Sequence, residues 1–88
     1  MSTRTATIAS AHGLHARPAA LFVQAVNDSG FDVTIEKDGR DAPAGSILGV
    51  ISLAINQGDS VTISAEGEGV DAVLDQLVTF LETDHDAE

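Results

Sequence analysis

The chain has 88 residues, 43% of them hydrophobic, enough for one small domain spanning 1–88 with a modest core. Fourteen Asp and Glu stand against four Lys and Arg, a formal charge of −10, and such a chain repels nucleic-acid phosphates and anionic lipid. There is no cysteine, tyrosine or tryptophan, which excludes disulfides, thiolate metal sites, a cysteine nucleophile and base-stacking platforms of the usual kind.

The opening Met1-Ser2-Thr3-Arg4-Thr5 has no apolar signal-peptide core, and no run is long enough to span a bilayer, so the expected compartment is the cytoplasm. The acid excess has two readings of equal weight. One is a solubilising surface; the other is a saline cytoplasm in which carboxylate repulsion is screened.

In chain order, Thr3 to Ile8 alternates, with Arg4, Ala6 and Ile8 on one face, and predicts a strand. A loop holding Ser10, His12 and Gly13 follows. From Ala16 to about Asn27, the residues Ala19, Phe22, Val23 and Val26 recur at helical spacing, and Gly30 suits a left-handed exit. Asp32 to Lys37 reads as a second strand. Asp38-Gly39 is a two-residue hairpin signal that predicts a short antiparallel strand from Arg40 to about Pro43. Ser46 is placed to cap a short helix from Ile47 to about Ile55. Ser60 to Glu66 alternates as a last strand. Val70 to Leu81 is an amphipathic helix, carried by Val70, Val73, Leu74, Leu77, Phe80 and Leu81. The tail from Glu82 to Glu88 is acidic, and His85 within it has no evident role.

The order is β-α-β-β-α-β-α. Strands with one polar face and helices with one apolar stripe predict an α+β open-faced sandwich: a four-stranded antiparallel sheet with three helices on one face.

The stretch Gly13-Leu14-His15-Ala16-Arg17-Pro18 carries the chemistry. Pro18 marks the first turn of a helix, where no N–H is lost. Orphan N–H groups and the helix dipole favour an anion there. An imidazole at that point, with the Arg17 guanidinium two residues on, suits a histidine that carries a phosphoryl group. His12 and His15 also form an H-x-x-H pair. No cysteine or flanking carboxylate completes a metal site, so neither metal nor cofactor is expected.

Together with Ser46-Ile47-Leu48-Gly49, Gln57-Gly58-Asp59 and Val61-Thr62-Ile63-Ser64-Ala65-Glu66-Gly67, that stretch resembles the histidine-containing phosphocarriers (HPr) of the phosphoenolpyruvate-dependent sugar phosphotransferase system. The resemblance covers nearly the whole chain. It implies that His15 accepts a phosphoryl group on Nδ1 from enzyme I and passes it to the A-type domains of enzyme II. It implies that Arg17 and the backbone N–H groups of Ala16 and Arg17 hold that group. It also implies a partner-docking face of Ala16, Arg17, Ala20, Ile47, Leu48 and Ile51, some of which a short helix should commit to the core. Relatives often carry lysines near Gln24 and Asn27, which this chain lacks. His12 stands where the family often has Asn. Ser46 matches a serine that some members phosphorylate for regulation, but Gly45 replaces the lysine frequent before it, and the cap alone accounts for Ser46.

The expected protein is a cytoplasmic, monomeric carrier, not an enzyme, with no nucleic-acid or membrane partner. A carrier for a side branch (nitrogen regulation or dihydroxyacetone kinase), and a regulatory module that docks without transfer, are the competing functions.

Overall fold

The computed structural model describes residues 2–9, 13 and 16–83, with backbone alone at Ala16. Its elements are β1 (Ser2–Thr7), α1 (Ala16–Ser29), β2 (Thr34–Lys37), β3 (Arg40–Pro43), α2 (Ile47–Ser52), β4 (Ser60–Ala65) and α3 (Val70–Leu81). The four strands form one antiparallel sheet in the order β1-β4-β2-β3. Ser2 faces Ala65, Ile35 faces Ile63, and Lys37 faces Arg40.

The period-two pattern sets the register. Ala6, Ile35, Val61, Ile63 and Ala65 lie on one face and are buried, while Thr3, Thr5, Thr7, Thr34 and Glu36 on the other are exposed. The three helices cover the apolar face. Ala19, Phe22 and Val26 of α1 and Val70, Leu74, Leu77 and Leu81 of α3 are buried, and Val23, Val73 and Phe80 pack at the margin. Phe22 and Phe80 join α1 to α3 with ring centroids 6.0 Å apart, tilted by 39°. Burial of a side chain the size of Phe22 contributes about 1.5–3 kcal/mol.

Arg4 shares the helix-covered face with Ala6, at its rim. Its guanidinium donates to Asp75 at 2.9 Å and to Asp71 at 3.3 Å, tying β1 to the first turns of α3. The hairpin signal is fulfilled at Asp38 (φ 54°) and Gly39 (φ 81°), both left-handed as a two-residue turn requires.

Three boundaries differ from the sequence expectation by more than a residue. β2 begins at Thr34 rather than Asp32. α1 runs on to Ser29. α2 is shorter than expected and ends at Ser52 rather than near Ile55. Leu53 caps α2, and Ala54 then turns left-handed at φ 52°, which stops the helix although the apolar spacing continues. Leu53 and Ile55 are buried as chain beyond the helix end.

Candidate functional site

The site is built on the start of α1. His15 and His12 lie outside the described residues, as do Leu14, Ser10 and the acidic tail with His85; of Ala16 only the helical backbone is described. α1 begins at Ala16, so the N–H groups of Ala16 and Arg17 are among the four that a helix leaves without an internal partner. Pro18 is buried in that first turn and Arg17 is exposed beside it.

Gly13 is the described residue of the loop before His15. It is buried, its φ is +68°, and its Cα lies against the backbone of residues 55 and 56. A Cβ there would overlap the carbonyl oxygen of Ile55 and come within 2.7 Å of the Asn56 Cα. The sequence shows Gly13 as a turn residue. The structure adds that residues 55–56 are the floor on which Gly13 rests.

That floor is held from below. The Lys37 ammonium donates to the Ala54 carbonyl at 2.8 Å and pairs with the Asp59 carboxylate at 2.9 Å. The same carboxylate oxygen accepts the Asn56 N–H at 2.8 Å. The end of β1 is fastened to this segment by Gly58 N–H to Ile8 C=O and Ile8 N–H to Asp59 C=O, both 2.9 Å. The Asn56 N–H, and then the Lys37 ammonium, hold the Asp59 carboxyl below its ordinary value of 3.8. A depressed carboxylate contributes stability above its unfolded pKa and loses it as pH falls through the folded one. Asp59→Asn is therefore expected to melt below the wild type at neutral pH, with the gap closing in more acid buffer than the ordinary value of 3.8. A gap undiminished at low pH in paired thermal melts would assign the loss to packing instead.

The cations divide by task. Arg4 is paired with Asp71 and Asp75, Lys37 with Asp59, and Arg40 donates to the Ser52 carbonyl at 3.2 Å. Among the described residues, Arg17 is the one cation with no such partner, and its side chain is exposed.

α1 and α2 carry exposed apolar side chains. Leu21 of α1 is 38% exposed, and Ile47, Leu48 and Ile51 of α2 are 37%, 77% and 39% exposed; Ala20 and Gln24 are exposed as well. The expectation that some of Ile47, Leu48 and Ile51 belong to the core is corrected, since the buried residue of α2 is Val50. A six-residue helix needs only one inward side chain, and Leu53 completes the contact from the cap position. α1 and α2 pack together, with the Asn27 amide donating to the Gly45 carbonyl at 3.2 Å. No Asp or Glu occurs at positions 1–27 or 42–58, so both helices up to that junction are free of acidic side chains.

Ser46 caps α2: its backbone is extended (φ −114°, ψ 119°) and its hydroxyl accepts the Gly49 N–H at 3.2 Å. A cap of this kind contributes about 1 kcal/mol. Among the described residues no group of three or more potential metal ligands is found, and no helix is long and apolar enough to cross a membrane.

Comparison with known proteins gives one family. Residues 2–83 match the profile described as "PTS HPr component phosphorylation site". The HPr-like protein Crh of Bacillus subtilis is 47% identical over 70 residues, covering 80% of this chain and 82% of that protein. The crystal structure of phosphocarrier protein HPr from Bacillus anthracis superposes with a TM-score of 0.87 at 41% identity, covering 91% of this chain and 95% of the other. A crystal structure described as an HPr dimer, from Thermoanaerobacter tengcongensis, gives 0.71 at 41% identity, covering 93% and 94%. With its strand order, its α1 start and a profile match across 2–83, this chain belongs to the HPr family of phosphocarrier proteins.

Proposed function

We propose that the protein accepts a phosphoryl group on His15 from phosphoenolpyruvate-charged enzyme I and delivers it to A-type domains of enzyme II for sugar uptake, as a carrier and not as a catalyst. The observation that carries this reading is Arg17, exposed at the start of α1 two residues from His15 and without an ion-pair or hydrogen-bond partner among the described residues, where Arg4, Lys37 and Arg40 are each engaged. In the forward step the Nδ1 lone pair of His15 bonds to phosphorus as the donor's bond to phosphorus breaks. In the reverse sense, an acceptor nucleophile takes the group and the imidazole leaves. The chain supplies positioning and charge: the guanidinium of Arg17 and the N–H groups of Ala16 and Arg17 meet the phosphoryl oxygens. Exposed Ala20, Ile47, Leu48 and Ile51 form the docking face, with Arg17 and Ala16 at its edge. The carrier acts as a monomer in the cytoplasm, without metal or cofactor. Ser46 serves as a helix cap.

The test is incubation with phosphoenolpyruvate and enzyme I, followed by intact mass. One acid-labile, base-stable phosphoryl group is expected, absent from His15→Ala; label persisting in His15→Ala at His12 or His85 would sink the assignment. Size-exclusion of the charged protein at the assay concentration checks the monomer.

Arg17→Ala should slow both charging and transfer while moving stability by less than ~1 kcal/mol, as for an exposed side chain. A large fall in melting temperature with normal transfer would make Arg17 a structural residue.

A second reading is a regulatory module that docks by the same face without transfer; a solved neighbour at 40% identity is described as Crh, the Bacillus subtilis catabolite repression HPr. His15, which that role does not need, is present, and the mass experiment separates the two.

A further inference from the structure

Lys37 is the chain's one lysine, and it is spent inside the fold. Its side chain is 14% exposed, with the ammonium held between the Ala54 carbonyl and the Asp59 carboxylate. A flexible, strongly hydrated cation gives up water and rotamer freedom to sit there, and a surface pair alone returns little for that. What Lys37 closes is a ring of contacts. It runs from the Ala54 carbonyl through Lys37 Nζ and Asp59 Oδ2 to the Asn56 N–H, and it encloses the backbone at residues 54–56.

The first residue of that ring needs holding. Ala54 has φ 52°, a left-handed conformation that is strained for any L-residue with a Cβ. The last two carry the load, because Ile55 and Asn56 are the backbone on which Gly13 rests. Chain therefore runs from Lys37 to the loop before His15 through two contacts, one polar and one steric.

We propose that Lys37 is a positioning residue for phosphoryl transfer, setting the His15 loop through the 54–56 backbone that it holds in place. The proposal rests on His15 being the acceptor. Lys37 touches no reacting atom in this scheme, and Asp59 orients the Lys37 ammonium and shares the Asn56 N–H. Loss of the ammonium frees Ala54 to leave the left-handed region. The floor then shifts under Gly13, and the imidazole is offered to the donor at the wrong angle.

The test compares wild type, Lys37→Met, Asp59→Asn and the double variant Lys37→Met/Ala54→Gly in steady-state charging by enzyme I and phosphoenolpyruvate. Each is assayed at a temperature where circular dichroism shows it folded. Misplacement by a fraction of an ångström predicts a kcat roughly tenfold lower for Lys37→Met. KM for the carrier should stay within about twofold, because the apolar docking residues are untouched. Asp59→Asn should fall between Lys37→Met and the wild type. Glycine at position 54 adopts φ 52° without strain, so the double variant should recover most of the lost kcat. The His15 imidazole resonances of the uncharged proteins, read without any transfer, should shift in Lys37→Met and return in the double variant. Unchanged kcat and unchanged resonances in folded Lys37→Met would overturn the proposal while leaving the carrier function standing. A fall in rate matched by an equal rise in KM would overturn it too, assigning Lys37 to docking. Failure of the wild type itself to take a phosphoryl group would overturn the reading of His15, and this proposal with it.

Discussion

Gly13→Ala is expected to cost about 2–5 kcal/mol of stability, summing about 1–2 kcal/mol for an alanine held left-handed and about 1–3 kcal/mol for forcing a methyl group into packed backbone. The atoms in its way are the Ile55 carbonyl oxygen and the Asn56 Cα, neither of which can rotate aside as a side-chain tip would. Against a total of roughly 5–15 kcal/mol, that is a large share. At about 4–8 °C of melting temperature per kcal/mol for a domain of this size, thermal denaturation reads it easily. Gly39→Ala is the control. Gly39 also has a positive φ, at +81°, but a Cβ there meets nothing within 4 Å. It should lose only the left-handed term, about 1–2 kcal/mol. The difference between the two variants isolates the contact with the floor, and equal losses would mean that residues 55–56 yield to the methyl group. Charging by enzyme I, measured on whatever folds, should suffer in Gly13→Ala and not in Gly39→Ala.

The second large effect is salt. The melting temperature should rise steeply between dilute buffer and molar KCl, by the equivalent of a few kcal/mol. The net charge is −10, and among the described residues only Asp59, Asp71 and Asp75 have a cation within ion-pair distance. One repulsion is built into the sheet. Glu36 of β2 lies directly opposite Asp41 of β3 on the solvent face, with Asp38 in the turn between the two strands. Like charges so placed destabilise a ladder by up to about 1 kcal/mol. The screening length falls from about 10 Å at 0.1 M salt to about 3 Å at 1 M, below the spacing of most surface carboxylates. Asp41→Asn should therefore raise the melting temperature in dilute buffer and do little in molar salt. Transfer from enzyme I should survive molar KCl if the proposed docking face of Ala20, Ile47 and Leu48 binds by apolar burial. A flat melting curve with transfer abolished by salt would reverse both halves of this argument.

What the sequence shows and what it hides divides along sequence separation. Element types follow from periodicity: Val61, Ile63 and Ala65 alternate into the core, and Val70, Leu74, Leu77 and Leu81 line one helix face, as their spacing predicts. Asp38-Gly39 names its own turn, since the required φ values belong to the residues themselves. The end of α2 was not legible, because an alanine gives no sign that it will stand left-handed. Arg4 reads as an oddity on an apolar face until Asp71 and Asp75 come round on α3 to meet it. Lys37 is conspicuous only by being a lone lysine. Its partners, Ala54 and Asp59, are distant in sequence, and one of the contacts is to a carbonyl that every residue possesses. The proposal of His15 and Arg17 as the site comes from the sequence, whereas the floor under Gly13 is a backbone contact that no side-chain pattern records.

The sheet order has a consequence for how the molecule comes into being. The β2–β3 hairpin closes locally through its two-residue turn, but β1 pairs with β4, so Ser2 waits for Ala65, sixty-three positions further along the chain. Contacts of such separation form slowly, because the loop between must be closed before any hydrogen bond rewards it. β4 also fills the gap between β1 and β2, so the sheet is complete only when this strand inserts. The segment under Gly13 is fastened to the end of β1 by Gly58 and Asp59, immediately before β4. A chain still on the ribosome, with fewer than about sixty residues free, holds His15 but not the fastened backbone on which Gly13 rests. On the proposed function, a half-made chain lacks the seat of Gly13 and is expected to be a poor substrate for the donor.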